Sequence, residues 1–145
     1  MRERTLAIVK PDCLAEGHAG EVIQAYESAG LRLAAARVER ISAERAGELY
    51  AEHVQKPFFG ELVEYMTSNP VLVIALEGED AIAAVRAVNG ATDPAEAEPG
   101  TLRYRLGDSV RRNAVHGSAT AEDARRELAL FFPEMRPLVG TCRFG

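Results

Sequence analysis

Apolar and polar positions alternate with two different periods along the chain, and the switches between them mark out its elements. Thr5 to Val9 is a short unbroken apolar run, as expected of a strand buried on both faces. It ends at Lys10-Pro11-Asp12, where proline cannot continue a ladder. Ala19, Val22, Ile23 and Tyr26 then recur at helical spacing, with Gly30 as the stop. Leu31 to Ile41 reads as a strand in which Leu31, Leu33 and Ala35 alternate. Ser42 caps a helix whose Ala43, Ala46, Gly47, Tyr50 and Val54 share a face. After the Lys56-Pro57 break, Phe59, Leu62, Val63 and Met66 repeat the helical pattern. Val71 to Leu76 is the most strongly β stretch and is expected to end at Gly78. Ile82, Val85 and Val88 mark a further helix with Arg86 beside its apolar face.

From Asn89 to Gly100 the chain is rich in Gly, Pro, Ala and acids, the composition of a long structured loop of the kind that carries function. Leu102, Tyr104 and Leu106 alternate with Arg103 and Arg105, which predicts a short strand. Another short apolar run precedes His116. Thr120 then caps a helix on which Ala121, Ala124, Leu128, Phe131 and Phe132 form one stripe, with Glu122 and Asp123 at its positive end. From about Pro133 onward no periodicity remains. The order of strand, helix, strand, helices, strand, helix, loop, short strand and helix predicts an α+β sandwich: a four-stranded antiparallel sheet carrying helices, close to the ferredoxin-like split βαβ arrangement.

Composition narrows the class. With 145 residues, 47% hydrophobic and 27% charged, the chain is sized for one globular domain spanning 1–145 with a substantial core. No apolar run is long enough to span a membrane, and nothing resembles a secretory leader, so a soluble, cytoplasmic protein is expected. Cys13 and Cys142 are far apart without metal-type spacing and are expected to be reduced thiols. A net charge of −5 argues against stable binding to nucleic acid through its backbone, so any phosphate site must be local. Between Thr101 and Gly117, Arg103, Arg105, Arg111 and Arg112 face only Asp108 in sequence. Such a cluster suits a phosphate-bearing small molecule, but taken alone it better suits a solvated loop balanced by Asp93, Glu96 and Glu98 upstream.

The stretch Asn113-Ala-Val-His-Gly-Ser118 holds the most suggestive chemistry. It places the His116 imidazole between an apolar run and a helix start, with Gly117 removing bulk so that an anion could approach and Ser118 offering a hydroxyl. Glu127 lies at the border of the following helix's apolar stripe, where a carboxylate could orient the ring. The same local pattern fits a core histidine bonded to backbone, with Glu127 in a surface pair. Lys10, at the end of a central strand, is expected to point into a cleft. His53 and His18 are expected to be a solvated helix residue and a turn residue. Phe58, just outside its helical stripe, suits either a core plug or a stacking platform.

Taken together, Lys10-Pro-Asp12, Lys56-Pro-Phe-Phe59, Arg86, Gly90-Ala-Thr92-Asp-Pro94, Pro99-Gly-Thr-Leu-Arg103 and Asn113-Ala-Val-His-Gly-Ser118 make the chain closely resemble the nucleoside diphosphate kinases from about Arg4 to Phe132. The order and spacing of these motifs are far more specific than any one of them. The resemblance implies a ferredoxin-like fold. It also implies ping-pong transfer of the terminal phosphoryl of a nucleoside triphosphate, such as ATP or GTP, to a nucleoside diphosphate through a phosphohistidine at His116. Lys10, Phe58, Arg86, Thr92, Arg103 and Asn113 match nucleotide-contacting positions, and Tyr50, Ser118 and Glu127 match positions that support the imidazole. Mg2+ would arrive on the nucleotide rather than in a protein metal site. Broad base tolerance and a homo-oligomer built from dimers, tetramer or hexamer, are likewise implied.

Three stretches depart from the family pattern: Cys13 for glycine, Tyr104-Arg105 for Gly-Asp, and Ala119-Thr120 for Asp-Ser. None falls on a residue assigned to chemistry. A non-catalytic nucleotide-binding regulatory module on the same fold need not keep His116, Ser118 and Glu127 together. An RNA-binding domain would want a basic surface with aromatic pairs, whereas this chain is acidic with 6% aromatics.

Overall fold

A computed structural model describes residues 1–135. Four strands, β1 (Arg2–Val9), β2 (Arg32–Glu39), β3 (Val71–Glu79) and β4 (Val115–Gly117), form one antiparallel sheet in the order β2-β3-β1-β4. The two central strands are β1 and β3, the two longest apolar runs, because only there is a strand covered on both faces. Alternation then divides their side chains. Ala7, Val9, Leu72, Ile74 and Leu76 pack with Val22, Tyr26 and Val85 on one side. Leu6, Ile8, Val71, Val73 and Ala75 pack with Leu49, Met66 and Phe131 on the other. This is the expected ferredoxin-like α+β sandwich.

Seven helices complete the described chain: α1 (Pro11–Ala15), α2 (Ala19–Ser28), α3 (Ala43–Leu49), α4 (Phe59–Thr67), α5 (Ala81–Asn89), α6 (Leu102–Leu106) and α7 (Ala121–Phe131). Two of the expected caps form as read: the Ser42 side chain accepts from the Arg45 N–H, and that of Thr120 from the Asp123 N–H. The proline that stops β1 also opens α1, sitting at its first position where no N–H is missed.

Several local expectations are corrected. Leu102 to Leu106 is helix α6, not a strand: the Thr101 hydroxyl accepts from the Tyr104 N–H, Leu102 is buried and Tyr104 is exposed. Over five residues an alternating pattern also satisfies i, i+4 spacing, and Leu102 and Leu106 both turn towards the α2 and α5 side of the sheet. The helix starting at Ser42 stops at Leu49, a core residue the pattern did not single out, and a 3₁₀ turn at Ala51–His53 leaves Val54 54% exposed. Strand β3 runs through Gly78 to Glu79, paired with Arg2 and Glu3. Gly78 does not terminate it; a Cβ there would come within 3.0 Å of the Leu31 side chain. Strand β2 is shorter than expected, ends at Glu39, and carries a register shift between Leu33 and Ala35. The tail is described only to Met135, whose side chain packs against the second core cluster; Cys142 and the remaining tail lie outside the described residues.

Candidate active site

Strand β4 pairs with the C-terminal half of β1, Ile8 opposite His116. That short pairing carries the imidazole to the edge of the sheet, beside a cleft of about 910 Å³. Immediately before it the backbone makes a γ-turn: Ala114 has φ +74° and the Val115 N–H donates to Asn113 O at 2.8 Å. A left-handed alanine at such a turn is a sparsely populated conformation, held here because Ala114 is fully buried and its own carbonyl accepts from the Lys10 N–H at 2.9 Å. That hydrogen bond and the β1–β4 pairing fix Lys10 and His116 relative to one another.

Glu127 is not in a surface pair. It is 3% exposed, and one oxygen, Oε1, lies 2.8 Å from His116 Nε2 and 2.8 Å from Ser118 Oγ, which donates to it. Helix α7 places it there because its stripe packs on β1 and Glu127 is one turn from the buried Ala124 and Phe131. With Nε2 engaged, the ring carries its proton towards the carboxylate and Nδ1 has a free lone pair. Nδ1 has no hydrogen-bond partner among the described residues, and His116 lines the cleft. The Tyr50 ring meets the imidazole edge-on, centroids 6.1 Å apart at 88°, and its hydroxyl is buried without a partner among the described residues. Burial, and next the Glu127 charge, push that phenol above its ordinary range, so it remains a neutral donor.

Opposite the ring lies a polar chain. Lys10 Nζ donates to Asn113 Oδ1 at 2.5 Å, and Asn113 Nδ2 donates to Thr92 O at 2.9 Å. Lys10 is almost wholly buried; burial, and then the Arg103 charge, pull it from 10.5 to about 7. Arg103 uses three donors on backbone: Nη1 to Gly90 O (2.9 Å), Nη2 to Val115 O (2.8 Å) and Nε to Asn113 O (3.3 Å). It pins the loop to β4 while each terminal nitrogen keeps one N–H for a ligand. Arg86, on α5, is exposed into the cleft with no hydrogen bond or ion pair among the described residues, and Phe58 stands half-buried at the mouth with Lys56 Nζ 5.7 Å from its ring centroid.

Thus Lys10, Tyr50, Phe58, Arg86, Thr92, Arg103, Asn113, His116 and Glu127 all line one cleft, and Ser118 stands behind it on Glu127. Three readings change. Of the four clustered arginines only Arg103 turns deep inside; Arg105 pairs with Glu21 at 2.7 Å, Arg112 stacks on Tyr65, and Arg111, at the rim, pairs with Glu61. Acids from other elements claim two of them and an aromatic ring the third, which sequence spacing does not reveal. Gly117 does not clear space for an anion: a Cβ there would meet Val85 Cγ1 and Asn89 Nδ2, each at 2.9 Å, so glycine lets α5 approach β4. His53 is not a solvated helix residue, because the 3₁₀ turn brings its ring to 5.5 Å from Phe58 in the cleft wall, with Nδ1 buried and without a partner among the described residues. His18, at the start of α2, is the turn residue expected. Asn89, also in the wall, accepts the Tyr26 hydroxyl at 2.6 Å; periodicity puts it at a helix end and gives no hint of the pair.

A buried carboxylate holding a histidine at the edge of a ferredoxin-like sheet, against a cationic cleft, is the framework of an enzyme rather than of a passive binding module. Residues 3–136 match the family model described as nucleoside diphosphate kinase. A nucleoside diphosphate kinase of Burkholderia thailandensis is 51% identical over 133 residues, 92% of this chain and 94% of that one. Its counterpart in Bdellovibrio bacteriovorus is 48% identical over 130 residues, covering 90% and 92%. Among solved structures, the Aquifex aeolicus nucleoside diphosphate kinase superposes with a TM-score of 0.89 at 41% identity, covering 91% of this chain and 96% of that one. This chain belongs to the nucleoside diphosphate kinase family.

Proposed function

We propose that this protein moves the terminal phosphoryl of a nucleoside triphosphate to a nucleoside diphosphate in two half-reactions through His116. The observation that carries the reading is the Glu127 bond to Nε2, which leaves Nδ1 as the nucleophilic nitrogen of a ring that lines the cleft. In the first half-reaction the Nδ1 lone pair forms a bond to the γ-phosphorus. The bond from that phosphorus to the β–γ bridging oxygen breaks, and the diphosphate leaves with the electron pair. The ring becomes cationic, its proton remaining on Nε2 and donated to the Glu127 carboxylate, whose charge stabilises it. In the second half-reaction a terminal oxygen of another diphosphate attacks the phosphohistidine and the Nδ1–P bond breaks, restoring the neutral ring.

The remaining residues position and neutralise. Arg86, the spare N–H groups of Arg103, the Lys10 ammonium and the Thr92 hydroxyl would hold phosphate oxygens, and the Tyr50 hydroxyl would donate to the transferring group. Lys10 and Asn113 would meet the sugar hydroxyls, and Phe58 would stack on the base without reading its edge. Among the described residues no group of three or more His, Cys, Asp or Glu could hold a metal ion. The side chains assigned to the phosphates are cationic or neutral, a donor set that fits Mg2+ carried by the nucleotide's own oxygens and water, where it would draw charge off the polyphosphate. Residues 1–145 are taken to act as one domain, in the cytoplasm where nucleoside phosphates are abundant; among the described residues no helix is long and apolar enough to cross a membrane. Assembly into a homo-oligomer built from dimers, tetramer or hexamer, is supported by β2, an exposed edge strand with Val38 60% exposed. Sedimentation showing only monomer at micromolar concentration would remove that part.

The decisive test is incubation with terminally labelled ATP and Mg2+ followed by a different nucleoside diphosphate. Label should enter the protein, be lost in acid, and leave on the second nucleotide. A non-catalytic nucleotide-binding regulatory module would bind both nucleotides and never acquire label.

A further inference from the structure

Helix α5 carries two polar residues one turn apart, Arg86 and Asn89, and both line the cleft. The transfer described above uses only the first. Asn89 is almost wholly buried, as are Lys10 and Asn113, which line the same cleft. Its amide has an oxygen that accepts and a nitrogen that donates, and only the oxygen is engaged. Oδ1 takes the Tyr26 hydroxyl at 2.6 Å, a length proper to an O–H donor rather than to an N–H one. Burial holds the Tyr26 phenol above its ordinary range, so it stays protonated and able to donate.

Tyr26 belongs to the core cluster of Val22 and Val85, so the bond turns the amide oxygen inward and leaves Nδ2 on the side away from that cluster's tyrosine. Nδ2 makes no hydrogen bond among the described residues. It stands beside Gly117, the residue after His116, 2.9 Å from where a Cβ would be. A buried N–H without an acceptor is costly, and such groups in native proteins call for a partner. Strand β4 is the edge of the sheet. Tyr50 and the helices α3 and α7 cover one face of the sheet and α5 the other. A phosphoryl group on His116, at that edge, can therefore be met from both faces: by Tyr50 from one and by Asn89 from the other.

We propose that Asn89 is a further donor to the phosphoryl group in transfer, its Nδ2 bonding a non-bridging oxygen from the α5 face, and that Tyr26 is the positioning residue that keeps nitrogen rather than oxygen turned to the anion. The inference rests on the reading that His116 carries the phosphoryl group. Orientation decides its sign: an amide turned over would set the negative end of its dipole against phosphate. A neutral donor to an anionic oxygen, realised as the phosphoryl group reaches His116, contributes on the order of 10-fold in rate.

Single-turnover phosphorylation by MgATP and calorimetry with MgADP, which lacks the terminal phosphoryl, test this together. Asn89→Leu should slow phosphorylation on the order of 10-fold and keep the MgADP affinity. Wild-type speed would overturn the proposal, as would an MgADP affinity that falls as far as the rate, the mark of a merely structural residue. Asn89→Asp still accepts from Tyr26 but sets a carboxylate oxygen against the phosphoryl group, and should be slower than Asn89→Leu; a faster Asn89→Asp would overturn the donor role. Combining Tyr26→Phe with Asn89→Leu removes both buried polar groups, so neither is left unpaired and the fold is kept. That protein should be as slow as Asn89→Leu and no slower; a further loss would mean that Tyr26 does not act through Asn89. The chain has three asparagines, Asn69, Asn89 and Asn113, so protein labelled with 15N in asparagine shows three side-chain amides by NMR, and the one absent from Asn89→Leu is that of Asn89. It should move further when MgATP phosphorylates the protein than when MgADP binds; an equal or smaller shift overturns the contact. Wild-type protein that takes no label from ATP refutes the reading above and this inference with it, whereas labelling that is equally fast in wild type and Asn89→Leu refutes this inference alone.

Discussion

Replacing Glu127 by glutamine isolates what its charge contributes. Glutamine has nearly the same shape, and its carbonyl oxygen can still accept from His116 Nε2 and Ser118 Oγ, each now 2.8 Å from Glu127 Oε1. The ring should therefore keep its tautomer and orientation. The attraction between a carboxylate and an imidazole that becomes cationic as the Nδ1–P bond forms is lost. A charge-assisted hydrogen bond contributes about 1.5–3 kcal/mol against about 1 for a neutral one. The difference of about 0.5–2 kcal/mol corresponds to about 2- to 30-fold in rate. Orienting partners of metal-bound histidines, the nearest analogy, span about 10- to 100-fold. Quenched-flow measurement of phosphoenzyme formation in a single turnover should show a slowing on the order of 10-fold, with the melting temperature nearly unchanged because no buried donor loses its acceptor. Glu127→Ala should be slower and less stable, since it leaves both donors unpaired at about 1–3 kcal/mol each. A Glu127→Gln protein that phosphorylates at the wild-type rate would refute the stabilising role.

His116→Ala should bind nucleotide and acquire no acid-labile label; label persisting on His18 or His53 would move the nucleophile elsewhere. Gly117→Ala puts a methyl 2.9 Å from Val85 Cγ1 and Asn89 Nδ2, and forcing α5 from β4 should cost about 1–3 kcal/mol by denaturant titration. Lys10 is held at about 7 in the fold against 10.5 ordinarily, so between those values the unfolded chain binds more protons and folding stability should rise with pH. Bound polyphosphate favours the ammonium, and nucleotide binding above pH 7 should therefore take up a proton, visible as binding heats that change with the buffer; equal heats in all buffers would contradict it. Removing the sugar 3′-hydroxyl should slow single-turnover phosphorylation by about 10- to 100-fold, more than exchanging ATP for CTP or GTP; the reverse ranking would mean that the base is read and the sugar is not.

Sequence by itself determined the parts of this protein that depend on local pattern. Thr5–Val9 read as a strand buried on both faces and Val71–Leu76 as the most strongly β stretch, and these are the two central strands of the sheet. Ser42 and Thr120 announced helix starts because a capping side chain acts within three residues. The motif set from Lys10 to Ser118 named residues that converge on one cleft. What only the tertiary structure decided depends on neighbours distant in sequence. Glu127 is buried on His116 because α7 packs across β1, and that bond is what leaves Nδ1 free. The alternation at Leu102–Leu106 read as a strand and is a helix, since five residues fit either period until a partner strand is found or missing. The arginines following Thr101 parted company because Glu21 and Glu61, from elsewhere in the chain, drew two of them away. Periodicity reports which face of an element is buried; it carries no information on which polar group from another element meets that face, and hydrogen bonding and charge act at only a few ångströms.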